Sequence, residues 1–141
     1  MLENTQPFTA HTFQQFLDQG LLKGSRCQDC QQVYLPVRAL CPHCGQTNLE
    51  WVEFSGKGTL VAFTSVYISP TFMIEAGFGR DAPYLTGVVE LEDGPRISAR
   101  ILGLDAENPT AVEIGTPLQF TVVEIGTDQD AFSQLAFSVV G

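Results

Sequence analysis

The stretch CQDCQQVYLPVRALCPHC, residues 27–44, decides how this chain folds, because it holds all four of its cysteines. They form two C-x-x-C pairs, Cys27 with Cys30 and Cys41 with Cys44, separated by ten residues. Each pair can turn tightly and present two thiolates. Two such turns, facing each other across a short hairpin, close a tetrahedral four-thiolate site. The spacing therefore predicts a ribbon built around one structural metal ion.

Zinc is the metal that this site favours, although iron fits a four-thiolate site of rubredoxin type. A redox dithiol needs only one pair, normally at the start of a helix, and neither pair lies in a helical pattern. Gly45, directly after the second pair, suits the positive φ that such a turn often needs. Four thiolates fill the coordination sphere, so we expect the metal to stabilise folding and to take no part in catalysis.

Before the cysteines, residues 9–23 have the pattern of an amphipathic helix that Gly24 would end. The apolar residues at helical spacing are Phe13, Phe16, Leu17 and Leu21. This face must dock on something, either its own domain or another subunit. The preceding stretch MLENTQPFTAHTF lacks a basic region followed by an apolar run, and no apolar run approaches the ~20 residues that span a bilayer. We therefore expect a cytoplasmic protein without a signal peptide or membrane span.

After Trp51 the pattern changes to strands rich in β-branched and aromatic residues. We predict a loop over residues 69–83, a hairpin turn at EDGP, a connection over 103–115 with one short helical turn, and a link at GTDQDA. The predicted strands are 58–68, 84–91, 96–102, 117–125 and 132–140. Five strands in this order predict an OB barrel, whereas an immunoglobulin-like sandwich needs about seven. The fold is thus mainly β, with an N-terminal helical segment (1–24), a zinc ribbon (25–50) and an OB-fold domain (51–141).

The charge of the chain argues against a nucleic-acid partner. Sixteen acidic residues against seven basic ones give a net charge of −9, of which −8 falls in residues 51–141. Such a surface repels phosphate backbones. Arg96 and Arg100 are the one basic pair on the predicted strands, and only Tyr84 accompanies them as an aromatic. Their plain role is a cross-strand ion pair with Glu90 or Glu92. A nucleic-acid-binding OB module nevertheless remains the alternative function.

Catalytic groups are scarce in this sequence. The histidines are His11 and His43, every cysteine is committed to the metal, and no G-x-S-x-G, P-loop, dinucleotide or H-E-x-x-H motif occurs. His43 lies inside the second pair, where four thiolates already complete the site. A self-sufficient enzyme that uses the 69–83 loop as a lid is a third hypothesis, and the residues favour it least.

The whole order of segments resembles a known family. The motifs are the ribbon with Pro36 and Arg38 between its pairs, the Glu50-Trp51 step, SGKGT at 55–59, Pro83-Tyr84 and the turn at 90–94. The chain is similar, over residues 13–140, to the acyl-CoA-associated OB-fold family with an N-terminal helix and a rubredoxin-like zinc ribbon. One departure is Gln31, where many members have Gly; it relaxes the first turn slightly.

The resemblance implies a non-catalytic partner of thiolase-like or hydratase-like enzymes that bridges subunits and helps to hold the coenzyme A part of acyl-CoA. The loop 69–83 would expose an apolar tip, Phe72, Met73, Ile74 and Phe78, which could cover an acyl or pantetheine chain, dock on a partner or fold back over the barrel. Basic side chains are the natural anchors for the phosphates. The candidates are Arg38, Lys57, Arg80, Arg96 and Arg100.

Overall fold

The computed structural model describes residues 7–35, 37–126 and 131–140. Pro36 and most of the predicted GTDQDA link therefore lie outside the described residues. The elements are α1 (Ala10–Asp18), β1 (Lys23–Cys27), β2 (Val33–Tyr34), β3 (Leu49–Glu53), β4 (Lys57–Val66), α2 (Thr71–Glu75), β5 (Tyr84–Leu91), β6 (Arg96–Leu102), β7 (Pro117–Ile125) and β8 (Phe132–Val139). A 3₁₀ turn, Pro109–Ala111, is the short helical turn expected in the 103–115 connection.

The N-terminal helix is shorter than its apolar pattern predicts. Thr9 caps α1 by accepting a hydrogen bond from the Thr12 amide, but the helix ends at Asp18 rather than at residue 23. Gly20, at φ +79°, turns the chain away, and the residues from Lys23 onward pair as a strand. Gly24 is thus a strand residue, not a cap. A Cβ there would collide with the Tyr34 carbonyl and the Phe54 ring, so only glycine allows the approach.

The helix docks on its own chain, as one of the two expected alternatives. Phe16 is fully buried with its ring edge-on to Trp51, and the ring centroids are 4.9 Å apart. On the polar side, the Gln14 amide donates to the Ser133 carbonyl at 2.6 Å, and Asp18 accepts from the Ser133 amide at 3.2 Å. The helix therefore bridges the ribbon and the last barrel strand.

The ribbon is a three-stranded antiparallel sheet in the order β2-β1-β3. The sequence predicts a two-stranded hairpin between the cysteine pairs, which is wrong, because only β2 lies between them among the described residues. β1 ends at Cys27, and β3 follows the second pair and pairs with β1 from Lys23↔Glu53 to Cys27↔Leu49. Arg26 lies opposite Glu50 in this register and forms an ion pair with it.

The five remaining strands close into a barrel in the order β4-β5-β6-β8-β7, which confirms the predicted OB fold. Its inside is apolar because alternate side chains of each strand face inward. On β5 these are Leu85, Val89 and Leu91, with Gly87 between them. The predicted hairpin is confirmed: β5 pairs with β6 from Leu85↔Ile101 to Glu90↔Arg96.

The segment 69–83 is not the open loop that its glycines and prolines predict. It contains α2, and Met73, expected at an exposed tip, has no exposed surface. Met73 packs in a small apolar cluster with Tyr84 and Ile125 on the outside of the barrel. The physical reason is that α2 places one side chain of the apolar run against the barrel, leaving its neighbours facing outward.

Candidate metal centre and ligand surfaces

The two C-x-x-C turns have matching backbone geometry. In the first, the Gln31 amide donates to the Cys27 carbonyl at 2.8 Å, and the Cys27 amide donates to the Gln32 carbonyl. The second repeats both bonds, from Gly45 to Cys41 at 2.8 Å and from Cys41 to Gln46. The residue after each pair has positive φ, +68° at Gln31 and +77° at Gly45. The positive φ expected at Gly45 is confirmed. The expected relaxation of the first turn is wrong, because Gln31 keeps the same hydrogen bonds and a positive φ although it is not a glycine.

These turns bring the four thiols together. All four Sγ atoms lie within 4.8 Å of one another, with Cys27–Cys44 and Cys30–Cys41 separations of 3.5 Å. Sulfurs around a tetrahedral zinc, with Zn–S bonds of about 2.3 Å, lie roughly 3.8 Å apart, so the arrangement fits the ion. The cysteines therefore hold one structural zinc, with no position left for substrate. Cys27 and Cys41 are fully buried, whereas Cys44 faces solvent.

Tyr34 adds a contact that the spacing of the cysteines does not reveal. Its hydroxyl lies 3.1 Å from the Cys41 sulfur, and because a zinc-bound thiolate has no proton, the hydroxyl is the donor. Burial raises the pKa of Cys41, but this hydrogen bond and the backbone groups of Cys44 and His43 outweigh it and lower the pKa to about 6. The same hydrogen bond, together with burial, raises the pKa of Tyr34 to about 12. Both effects favour a thiolate at Cys41, the form that binds metal.

The basic side chains expected to meet phosphates do not converge. Arg38 is exposed on the ribbon, where its backbone amide donates to Ser25, and Arg80 is exposed between α2 and β5. Lys57 lies at the start of β4 and lines a shallow surface pocket together with Glu90 and Glu92. Each of these cations is therefore separate from the others.

On β6, Arg96 and Arg100 have different surroundings. Arg96 lies 3.5 Å from Glu90, which confirms the expected cross-strand ion pair. Arg100 instead lies over the Phe78 ring, with its guanidinium carbon 4.4 Å from the ring centroid and 5.9 Å from that of Tyr84. Burial lowers the pKa of Arg100, opposed by the charge interaction with Tyr84. The structure thus joins Arg100 and Phe78, two of the predicted ligand residues, in one place.

Phe72 belongs to a different surface. It contacts Phe132 edge-on at 5.9 Å and remains 43% exposed. Three more large apolar side chains between residues 67 and 74 are exposed: Tyr67 at 41%, Ile68 at 78% and Ile74 at 58%. We call these four residues the apolar strip. The sequence pointed to Phe72 and Ile74, but Tyr67 and Ile68 read as the end of a strand and were missed.

Acid–base or nucleophilic machinery does not assemble within residues 7–35, 37–126 and 131–140. His11 and His43 are both exposed and lie on separate elements. The four cysteines form the single group of three or more potential metal-binding side chains found among the described residues. In the same part of the chain, no helix has both the length and the apolar character required to cross a bilayer.

The fold and the four-thiolate site together define a zinc-ribbon protein with an OB barrel. Comparison with known families gives the same class: residues 15–50 match the ChsH2 rubredoxin-like zinc ribbon domain, and residues 51–123 match the ChsH2 C-terminal OB-fold domain. The chain therefore belongs to the ChsH2 family of zinc-ribbon and OB-fold proteins.

Individual relatives carry two kinds of name. A DUF35 domain-containing scaffold protein of Methanocaldococcus jannaschii is 34% identical over 77% of this chain and 72% of its own length. A probable enoyl-CoA hydratase alpha subunit of Thermomonospora curvata is 30% identical over 66% of this chain, but this match spans only 26% of that protein. A solved structure described as the Ltp2-ChsH2(DUF35) aldolase superposes with a TM-score of 0.75, covering 97% of this chain and 98% of that one at 23% identity. That last likeness shows the shared fold.

Proposed function

We propose that this chain is a non-catalytic accessory subunit that docks on a hydratase-like or thiolase-like enzyme acting on acyl-CoA. The observation that carries the proposal is the apolar strip of Tyr67, Ile68, Phe72 and Ile74. These residues supply four of the seven large apolar side chains that are exposed among the described residues, within eight positions of sequence. Large apolar side chains exposed this densely within one segment support an interaction role for that segment.

The surroundings of the apolar strip indicate the chemistry of the partner. Glu75 adjoins Ile74 in α2, and Glu124 lies on the neighbouring end of β7; both are exposed. Residues 51–141 carry most of the net charge of −9. A complementary face therefore has an apolar centre with Lys or Arg at its rim, because apolar burial supplies the affinity and opposite charges guide the approach.

The absence of assembled catalytic groups in the described residues supports a non-catalytic role. Structural zinc with a full set of thiolates offers no open position for chemistry. The nucleic-acid alternative gains no support either, because the outer-face residues Thr86, Val88 and Ser98 are not aromatic and Tyr84 on that face is buried. The scaffold and hydratase alpha subunit names of relatives agree with an accessory role.

We also propose that the chain contacts the coenzyme A part of the substrate held by its partner. Arg100 with Phe78 is the place where a predicted cation and a predicted apolar residue meet. Arg38, Lys57, Arg80 and Arg96 contribute at most to long-range attraction, since each stands on its own or beside a carboxylate.

Affinity capture from the native host tests the proposal. The tagged, zinc-loaded chain should retain an enzyme that turns over acyl-CoA, identified by mass spectrometry and by activity of the eluted complex. Recovery of the chain alone at physiological concentration would overturn the accessory role, and turnover of acyl-CoA by the chain alone would overturn its non-catalytic character.

A matched pair of variants assigns the captured partner to the apolar strip. Ile68→Asp places a charge in its most exposed side chain, whereas Ile114→Asp places one in a comparable side chain, 59% exposed, near the start of β4. The two sites lie at opposite ends of this ten-residue strand, roughly 25 Å apart. Ile68→Asp should abolish capture and Ile114→Asp should leave it intact; equal capture by both would remove the apolar strip from the interface.

A further inference from the structure

Arg100 is held firmly, but only by neutral groups. Its guanidinium lies over Phe78 and near Tyr84, whose rings contact each other edge-on at 5.5 Å. Its Nη1 atom donates to the side-chain oxygen of Gln134 at 3.3 Å, and Gln134 in turn contacts the buried Met73 sulfur. Three elements therefore fix the orientation of this cation.

Among the described residues, Arg100 lacks both a carboxylate to balance its charge and an acceptor for one of its hydrogen-bond donors. Its Nε atom is buried and makes no hydrogen bond, and no described carboxylate forms an ion pair with it. By contrast, Arg26 and Arg96 each form an ion pair with a glutamate on the neighbouring strand. Buried donors are nearly always paired in folded proteins, so an orphaned one on a fixed cation indicates a missing acceptor.

A shallow uncharged groove of about 240 Å³ lies on the sheet beside the backbone position of Arg100. It runs over β4, β5 and β6 and includes Thr86, which lies directly opposite Arg100, and Ser98, which precedes Arg100 by two residues on the same face. Directly opposed residues have Cβ atoms about 5 Å apart, so Arg100 adjoins the groove at Thr86. Its lining is Ala62, Phe63, Thr64, Thr86, Gly87, Val88 and Ser98.

We propose that Arg100 anchors an oxyanion at the end of a ligand whose uncharged, extended body lies along this groove. A guanidinium already fixed by aromatic rings and Gln134 binds a carboxylate or phosphate with little loss of side-chain freedom. The neutral lining accepts an uncharged chain and offers no countercharge. The identification of coenzyme A as the ligand rests on the proposed function. The oxyanion anchor at Arg100 does not, since it is argued from the geometry of this chain alone.

Titration of the full zinc-loaded chain, followed by NMR of the Arg100 Nε–H signal, tests this anchor. Octanoate provides a carboxylate on a chain, coenzyme A a phosphate on a chain, and octanol a chain without charge. We expect octanoate or coenzyme A to shift the signal and octanol to leave it in place. Response to octanoate alone supports the anchor and removes coenzyme A as its ligand; silence toward both overturns the proposal.

Three variants separate the anchor from general charge. Arg100→Gln should weaken binding by about tenfold or more, because a hydrogen bond to a charged group is lost. Arg96→Gln removes an equal charge from the same face of β6 and should change binding by less than about twofold, since it already pairs with Glu90. Ser98→Phe, at an exposed position, should block the groove.

Loss of equal size in Arg100→Gln and Arg96→Gln would overturn the assignment. If Arg100→Gln does not fold, as judged by zinc content and circular dichroism, the wild-type titration and Ser98→Phe still decide: unchanged binding in Ser98→Phe contradicts the groove. These measurements need no partner enzyme, so their failure leaves the capture experiment standing, and failed capture leaves the anchor standing.

Discussion

Replacing Gln31 with glycine should stabilise the zinc-loaded chain, whereas replacing Gly45 with glutamine should destabilise it. The two residues occupy the same place in the two matching turns, at φ +68° and +77°. A side chain with a Cβ is strained in this left-handed region, and glycine is not. The first turn carries this strain in the natural sequence and the second does not.

The sizes of the two effects follow from their surroundings. Strain of roughly 1–2 kcal/mol is partly offset by the larger chain entropy that glycine loses on folding, which leaves about 1 kcal/mol. A Cβ at Gly45 meets no atom within 4 Å, so Gly45→Gln should lose this 1 kcal/mol without a clash. Gln31→Gly also removes the exposed hydrogen bond that the side-chain amide of Gln31 donates to the Gln28 carbonyl, which is worth about 0.5 kcal/mol. The free energy of unfolding should therefore rise by a net amount of about 0.5 kcal/mol.

Thermal unfolding at fixed free zinc measures these differences, since zinc binding to the native state also sets stability. For a chain of this size, 1 kcal/mol shifts Tm by roughly 4 °C. Gln32→Gly is the control, because Gln32 is exposed but its φ is not positive. If Gln31→Gly lowers Tm as the control does, the first turn carries no strain and the reasoning is refuted.

Three further changes test other contacts. Tyr34→Phe removes the hydroxyl donor to Cys41 and should speed the transfer of zinc to a chelator by about tenfold. An unchanged rate of zinc transfer would show that this hydrogen bond does not support the metal. Cys41→Ser should unfold the ribbon and abolish partner capture, and a metal-free complex that stays intact would contradict this. Met73→Ala should cost about 2–3 kcal/mol in urea unfolding while Ile74→Ala changes stability by less than about 0.5 kcal/mol, since Met73 has no exposed surface and Ile74 is 58% exposed; equal effects would mean that α2 does not pack as described.

Much of the architecture follows from local sequence signals. The C-x-x-C spacing specifies the metal site, because two tight turns can place four thiolates around one ion. Alternating apolar residues from Tyr84 to Leu102, interrupted by a turn, specify the hairpin of β5 and β6. The order and lengths of the five strands then restrict the barrel to few topologies.

The features that the sequence did not predict depend on contacts between distant residues. α1 stops at Asp18 because Lys23–Cys27 finds pairing partners on both sides, an effect invisible in the periodicity of residues 9–23. Met73 is buried and Ile74 is exposed because α2 turns the first toward the barrel and the second toward solvent. Arg100 pairs with rings rather than with a glutamate because the segment 69–83 folds over β6, a tertiary outcome that alternation along one strand does not encode.

Hydrogen–deuterium exchange of the zinc-loaded chain, alone and with its captured enzyme, tests the accessory role most directly. The account predicts slower exchange in residues 67–76, where the apolar strip would be covered, and unchanged exchange around Ile114. Unchanged exchange in 67–76 within a stable complex would contradict docking through the apolar strip.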